Sequence, residues 1–260
     1  MPEFQDLLAL SEEAARAGAN ELMAWRGRFQ TQEKSVHDLV TDADLASQQA
    51  IQAVILKHFP EHGFLGEESA DLEQLQMPYC WVVDPLDGTT NYVHGFPCYA
   101  VSVAVAQHGE VVAGCIYDPI SKECFLASAG QGSSLNGETI TTSSTEDVAE
   151  ALVAVSFPPQ TTTDSPDIQA FLRVAPRCQA IRRTGSAALN LAYVACGRLD
   201  AHWAHHIHPW DSAAGTLLVK EAGGIVRASN GHSYQLAEGN YFVSGTPNLY
   251  ETLLPLVIGQ

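Results

Sequence analysis

The stretch "WVVDPLDGTTNYVHGFP" sets Asp84 and Asp87 three positions apart, directly after an apolar, β-branched run. Two carboxylates a few ångströms apart repel, and more strongly once partly withdrawn from water, so a positive partner is expected between them. The same residues are also ordinary turn chemistry, since proline fixes φ and Asp and Gly suit turn positions. Three neighbours weigh against that plain reading. Asp84 falls at the C-terminal end of a strand-like run. Gly88, Thr89 and Thr90 can open a helix whose N–H groups face an anion. The turn "GEES", Gly66 to Ser69, adds Glu67 a short way upstream.

Far downstream, "HPWDSAAG" places Asp211 just before an apolar helical run. Alone, an aspartate there is a helix cap. Taken together, Glu67, Asp84, Asp87 and Asp211 are four carboxylates, each beside a turn or a helix start. Hard oxygen donors of this kind suit Mg²⁺. Two or three such ions would cancel the repulsion and give an acidic protein a positive socket for phosphate. A calcium loop of the EF-hand type is excluded, because the twelfth position of such a loop is occupied by Gly95. A phosphatase with a DxDGT nucleophile fits less well, because these aspartates are one residue further apart. Residues three apart on a strand face opposite sides, so the strand is expected to end at Asp84. That rival also needs a downstream lysine, for which Lys220 is a weak candidate.

The elements that must carry these residues follow from hydrophobic periodicity. Residues 6–26 hold Leu7, Leu8, Ala14, Ala15, Leu22 and Trp25 at helical spacing. A second helix follows Thr41 or Asp42 as cap, with Leu45, Ile51, Ile55 and Phe59 on one face and Pro60 as its stop. "CWVVD", "YAVSVAVAQHG", "EVVAGCIYDP" and "ECFLASAG" read as strands joined by hairpin turns, giving an antiparallel sheet with two helices on one side. The polar run "TTSSTEDVAE" suggests a boundary, dividing the chain into residues 1–142 and 143–260. Beyond it, strands and helices alternate as in an α/β half.

The chain carries 30 acidic against 13 basic residues, a formal net charge of −17. That surface repels nucleic acid and anionic lipid. No apolar run is long enough to span a membrane. The start lacks the features of a secretory leader. Six scattered cysteines without a CxxC pair fit buried free thiols in a reducing cytoplasm.

"GEES", "WVVDPLDGTTNYVHGFP", "GSAALNLAYVACGRLDA" and "PWDSAAGTLLVKEAGG", with the hairpin-like "GQGSSLNGETI", resemble in order and spacing the signature segments of the inositol monophosphatase family. The resemblance covers roughly residues 5–250. It implies a mixed α/β fold, layered αβαβα, and a homodimer. It implies an Mg²⁺-dependent phosphatase acting on a small phosphate ester through metal-activated water. Glu67, Asp84, the carbonyl of Leu86, Asp87 and Asp211 would hold two to three Mg²⁺ ions. Thr89 would sit beside the attacking water, with the N–H groups of Gly88 and Thr89 on the phosphate. Gly185, Ser186 and Ala187 would line the substrate ring. Asp44, Glu68 and Thr90 would order the site from behind.

One departure concerns the substrate. Where inositol-specific members carry an acidic residue seven positions before the helix-start aspartate, this chain has Ala204, among His202, His205, His206 and His208. A strand or turn there would not converge four imidazoles on zinc. The alternatives are partly exposed histidines at a strand end or dimer contact, and imidazoles touching a more anionic substrate, such as histidinol phosphate, 3′-phosphoadenosine 5′-phosphate or fructose 1,6-bisphosphate. A non-enzymatic, metal-dependent binding role is the third reading.

Overall fold

A computed structural model describes residues 4–35, 38–238 and 240–259. The chain begins there with α1 (Phe4–Trp25), so the first residues of the acidic start lie outside the described residues. An exposed antiparallel pair follows, β1 (Thr31–Ser35) with β2 (Asp38–Thr41), then α2 (Asp42–His58). Thr41 caps α2 by accepting from Ala43 N at 3.1 Å, while the Asp44 carboxylate reaches back to Thr41 N at 2.8 Å.

The first sheet has seven strands in sequence order: β3 (Gly63–Gly66), β4 (Tyr79–Asp87), β5 (Ala100–Gln107), β6 (Glu110–Asp118), β7 (Glu123–Ser128), β8 (Gly132–Leu135) and β9 (Glu138–Ile140). A short helix, α3 (Thr89–Val93), leaves β4 toward β5. The sheet is not purely antiparallel as expected, because β3 pairs parallel to β4, the two joined by a connection with two 3₁₀ turns, Glu67–Ser69 and Leu72–Gln76. The second sheet takes β10 (Leu152–Val155), β11 (Ala180–Arg182), β12 (Ala201–Ala204), β13 (Ile225–Arg227) and β14 (Tyr241–Ser244), in the order β11-β10-β12-β14-β13. Its helices are α4 (Pro166–Val174), α5 (Ala187–Ala195), α6 (Pro209–Glu221) and α7 (Pro247–Ile258).

Three apolar cores define five layers. One face of the seven-stranded sheet (Trp81, Val83, Val101, Val103) packs on α1 and α2. Its other face (Val82, Ala104, Ile116) meets α5 and α6, whose far sides meet Ala154, Tyr241 and Val243 of the second sheet. The outer face of that sheet (Val153, Trp203, Phe242) is covered by α4 and α7. The expected αβαβα sandwich is therefore the observed fold. Strand alternation drives this, since each strand offers apolar side chains to both faces and both faces must be covered.

The middle helices approach closely because their contact residues are small. A Cβ on Gly215 would lie 2.5 Å from Leu191, and one on Gly114 of β6 would lie 3.1 Å from Ala214. On α2 the buried face is Ala43, Asp44, Ser47, Gln48, Ile51 and Ile55. Leu45, expected there, is 43% exposed, because Asp44 and Gln48 turn inward to serve the site. Cys80, Cys115 and Cys124 are buried free thiols, while Cys98, Cys178 and Cys196 are only half-buried. Among the described residues no helix is long and apolar enough to cross a membrane.

Candidate active site

Asp84 and Asp87 both belong to β4, and the strand does not end at Asp84 as the spacing suggested. Asp84 pairs with Ser102 and Asp87 with Ala100, three residues on β4 against two on β5. An extra residue of this kind is a bulge, which breaks the alternation and re-aims a side chain. Two carboxylates at an odd spacing can therefore meet on one side. With Asp211 from α6 they form a group whose ligand atoms lie within 4.8 Å of one another.

Each carboxylate is held by backbone. Asp84 Oδ1 accepts from Leu86 N at 3.0 Å. Asp211, in the first turn of α6, accepts through Oδ2 from His208 N at 2.6 Å. Asp87 sits on the N-terminus of α5: Oδ1 accepts from Ala187 N at 3.1 Å, and Oδ2 from Ala188 N at 2.8 Å and from the Ser186 hydroxyl. A helix N-terminus favours negative charge, which accounts for the clamp.

Burial pushes all three acids up. For Asp84 the charges of Glu67, Asp87 and Asp211 add to burial, and its carboxyl lies well above the usual range. Asp211 is raised likewise by burial, then by Glu67 and Asp87. Burial raises Asp87 to about 6 against its bonds from Ser186, Ala188 and Ala187. Like charges crowded in a desolvated pocket call for a cation. Among the described residues no lysine or arginine forms an ion pair with this trio, and Asp84 Oδ2 and Asp211 Oδ1 accept no hydrogen bond from protein. Oxygen-only donors with free lone pairs fit a hard divalent ion.

Glu67 opens the 3₁₀ turn after β3 and lines the same cleft, near enough to raise Asp84 and Asp211. It stands outside the 4.8 Å group, and its Oε1 takes a 2.8 Å bond from Lys34 Nζ. The same ammonium reaches Glu68 Oε1 at 2.6 Å. Lys34 belongs to the exposed strand "TQEKS", which has no apolar alternation. Gln48 on α2 completes this corner, its Oε1 accepting from Glu68 N at 3.0 Å.

Thr89 Oγ1 bonds to Asp44 Oδ1 at 3.2 Å and to the Leu86 carbonyl at 3.0 Å. Asp44 is fully buried, and burial raises it to about 6 although Thr41 and Thr89 donate to it. Gly88 precedes α3 at φ +97°, and a Cβ there would lie 2.9 Å from the Cys98 carbonyl. Thr90 is exposed on α3 and points no contact toward the carboxylates. Asn91, which sequence reasoning passed over, ties α3 to the α5 entry loop through bonds to Cys98 O (2.6 Å) and Thr184 O (2.9 Å).

The cleft holds about 370 Å³, with Lys34, Asp38, Glu67, Asp87, Gly185, Ala187 and Asp211 among its lining. Ser186 faces Asp87 rather than the cavity. Ala204 is fully buried in the core. The histidines divide. His202, expected to be partly exposed, is fully buried against Ser156 Oγ and the Tyr241 hydroxyl, both at 3.1 Å, and His205 is half-buried. His206 and His208 are exposed at the cleft. The four do not converge on a metal.

A bulge-joined acid pair facing a helix-start acid, inside a five-layer αβαβα sandwich, defines a metal-binding site of a phosphate-handling class. The inositol monophosphatase family model matches residues 3–258. The chain is 37% identical to a Nus factor SuhB of Pseudomonas aeruginosa, across 98% of this chain and 96% of that one. It is 38% identical to an inositol-1-monophosphatase of Synechocystis sp., across 91% and 84%. The solved extragenic suppressor protein suhB of Bartonella henselae superposes with a TM-score of 0.91 at 33% identity, covering 97% and 98%. The chain belongs to the inositol monophosphatase family, and it is a metal-dependent phosphoric monoester hydrolase.

Proposed function

We propose that this phosphatase hydrolyses a small phosphate monoester of the inositol 1-phosphate kind, with Mg²⁺ as its metal. The carrying observation is the convergent trio of buried Asp84 and Asp87 with partly buried Asp211, two of which open into a cavity sized for a small ligand. Glu67, Asp84, the Leu86 carbonyl, Asp87 and Asp211 are the ligands in this reading, for two to three ions. Bound there, the ions would acidify a water, polarise the phosphoryl oxygens and neutralise the departing alkoxide.

The remaining work falls to the chain. Asp87 is oriented by its three hydrogen bonds from the α5 N-terminus. The Thr89 hydroxyl donates its proton toward Asp44 and the Leu86 carbonyl, which leaves an Oγ1 lone pair to accept from, and so orient, the attacking water. The N–H groups of Gly88 and Thr89 face the phosphate, and Gly185 and Ala187 border the substrate ring. Lys34, held between Glu67 and Glu68, keeps Glu67 at the cleft. Residues 1–142 thus supply most ligands, and residues 143–260 supply Asp211 and the clamp.

The test is release of phosphate by purified protein from inositol 1-phosphate, with Mg²⁺ and with excess chelator. Vigorous turnover in chelator would sink the reading. A second reading keeps the chemistry and changes the substrate to histidinol phosphate, 3′-phosphoadenosine 5′-phosphate or fructose 1,6-bisphosphate. The buried methyl of Ala204, offering no acceptor to ring hydroxyls, favours it. Inositol 1-phosphate turning over far faster than all three would exclude it.

We further take the protein to be a cytoplasmic homodimer that does not contact nucleic acid directly. The net charge of −17 supports the last point. A Nus-factor role like that named for the SuhB relatives would, for this chain, have to work through protein contacts alone.

A further inference from the structure

Part of the cleft wall differs in chemistry from the carboxylates described above. Ser156, Phe157, Arg183, His206 and His208 lie along it, and none is a carboxylate, in a chain with 30 acids against 13 Lys and Arg. Arg183 is exposed and forms no ion pair or hydrogen bond with the described residues. Ser156 Oγ is already committed to His202.

His206 adopts φ +54°, the left-handed region. That conformation is disfavoured for a residue with a Cβ, which crowds the following carbonyl oxygen. The surroundings impose it. His206 N donates to Asn240 Oδ1 at 2.8 Å, and His205 is fixed through its N to Asp167 Oδ1 (3.2 Å) and through Nδ1 to Ser229 Oγ (2.9 Å). Beyond it, His208 N is held by Asp211 at 2.6 Å, and its ring stacks on Trp210 at 4.5 Å. Backbone strain held by several anchors clusters at ligand-binding sites.

We propose that this wall is a second anion subsite. The substrate is then a phosphate monoester carrying a further negative group, a carboxylate or a second phosphate, taken by Arg183 together with His206. The inference rests on the phosphatase reading above. A guanidinium matches either group with two parallel hydrogen bonds, and an imidazole N–H adds one more donor. A polyol ring is a poorer fit, because every hydroxyl also donates and these side chains offer almost only donors. The acidic group Asp84, Asp87 and Asp211, with the ions it would hold, would take the scissile phosphate, so a second anion needs a separate partner.

The experiment compares matched esters in Mg²⁺: 3-phosphoglycerate against glycerol 3-phosphate, and fructose 1,6-bisphosphate against fructose 1-phosphate. A charge-assisted hydrogen bond contributes enough for roughly tenfold or more in kcat/KM. The wild type should prefer the doubly anionic member of at least one pair by that factor. Which pair responds tells carboxylate from phosphate. Arg183→Gln and His206→Gly should bring the ratio to within about threefold of unity, chiefly by raising KM. Glycine suits the φ of position 206, so that variant keeps its fold, and thermal melts check both. A wild-type ratio at or below one in both pairs overturns the subsite, and so does a ratio unmoved by either substitution. Absence of Mg²⁺-dependent turnover on every ester would instead take down the phosphatase reading, and this inference with it.

Discussion

The Ser186 hydroxyl donates to Asp87 Oδ2, joining residues 99 positions apart in the chain. Ser186 also caps α5 through Leu189 N at 3.2 Å, so one side chain fixes both the helix start and the metal ligand it faces. Outer partners of metal ligands commonly matter as much as this bond suggests. Ser186→Ala should weaken the apparent Mg²⁺ affinity about 10- to 100-fold and cost about 1 kcal/mol of stability through the lost cap. Activity measured across a Mg²⁺ titration, with a denaturant melt alongside, checks it. Thr at this position should restore most of both.

Crowded acids make the metal-free protein pay for its site. Mg²⁺ should raise the melting temperature of the wild type, by an amount equivalent to about 2.7 kcal/mol at a hundred times Kd. Asp84→Asn removes one of the mutually repelling charges. In chelator that variant should melt at or above the wild type, and it should gain much less from Mg²⁺. Turnover should fall by orders of magnitude in the same variant. Scanning calorimetry with and without chelator reads the first two effects, and a phosphate-release assay the third.

His202 gives a pH prediction. Burial lowers its pKa to about 3 from 6.5. The unfolded chain therefore binds a proton that the folded chain refuses, and the stability contributed by neutral His202 is lost as pH falls below 6.5. By pH 5 the loss should reach about 2 kcal/mol. Replacing His202 by Gln removes this slope. The stability difference between the two proteins, followed by urea melts from pH 7.5 to pH 5, should shift by that amount in favour of the variant. A flat difference would mean that His202 is readily protonated in the fold.

Gly215→Ala tests the helical middle layer. The added methyl would fall 2.5 Å from Leu191. Alanine improves helix propensity by about 1 kcal/mol, but overpacking costs about 1–3 kcal/mol. The overpacking should win, because Leu191 is itself buried. We expect a lower melting temperature and reduced kcat, as α6 shifts and carries Asp211 with it. Circular dichroism melts and steady-state rates check both.

What was readable in the sequence followed from chemistry that is local. Asp84, Asp87, Glu67 and Asp211 announce themselves by charge beside turn and helix-start residues, and α1, α2, α5 and α6 by their apolar spacing. The bulge between Asp84 and Asp87 could not be read, because it exists only in the pairing of β4 with β5. The place of Lys34 follows from its bonds to Glu67 and Glu68, which exist only in the fold. Leu45 was misplaced because the inward face of α2 holds Asp44 and Gln48, a polar choice that the site demands and an apolar pattern cannot foresee. Asn91 carried no signal beyond its type. The helix α7, with Thr246 as its cap and Pro255 inside it, has no counterpart in the sequence reading.

The middle layer of α5 and α6 touches both sheets, and both of its N-termini end at the acidic trio. A nascent chain that had completed just the first sheet would own Asp84 and Asp87, yet lack the clamp for one and the third acid altogether. Capture of the ion would thereby wait until this middle layer has docked on the first sheet, so that loading with metal would report the joining of the two halves of the chain.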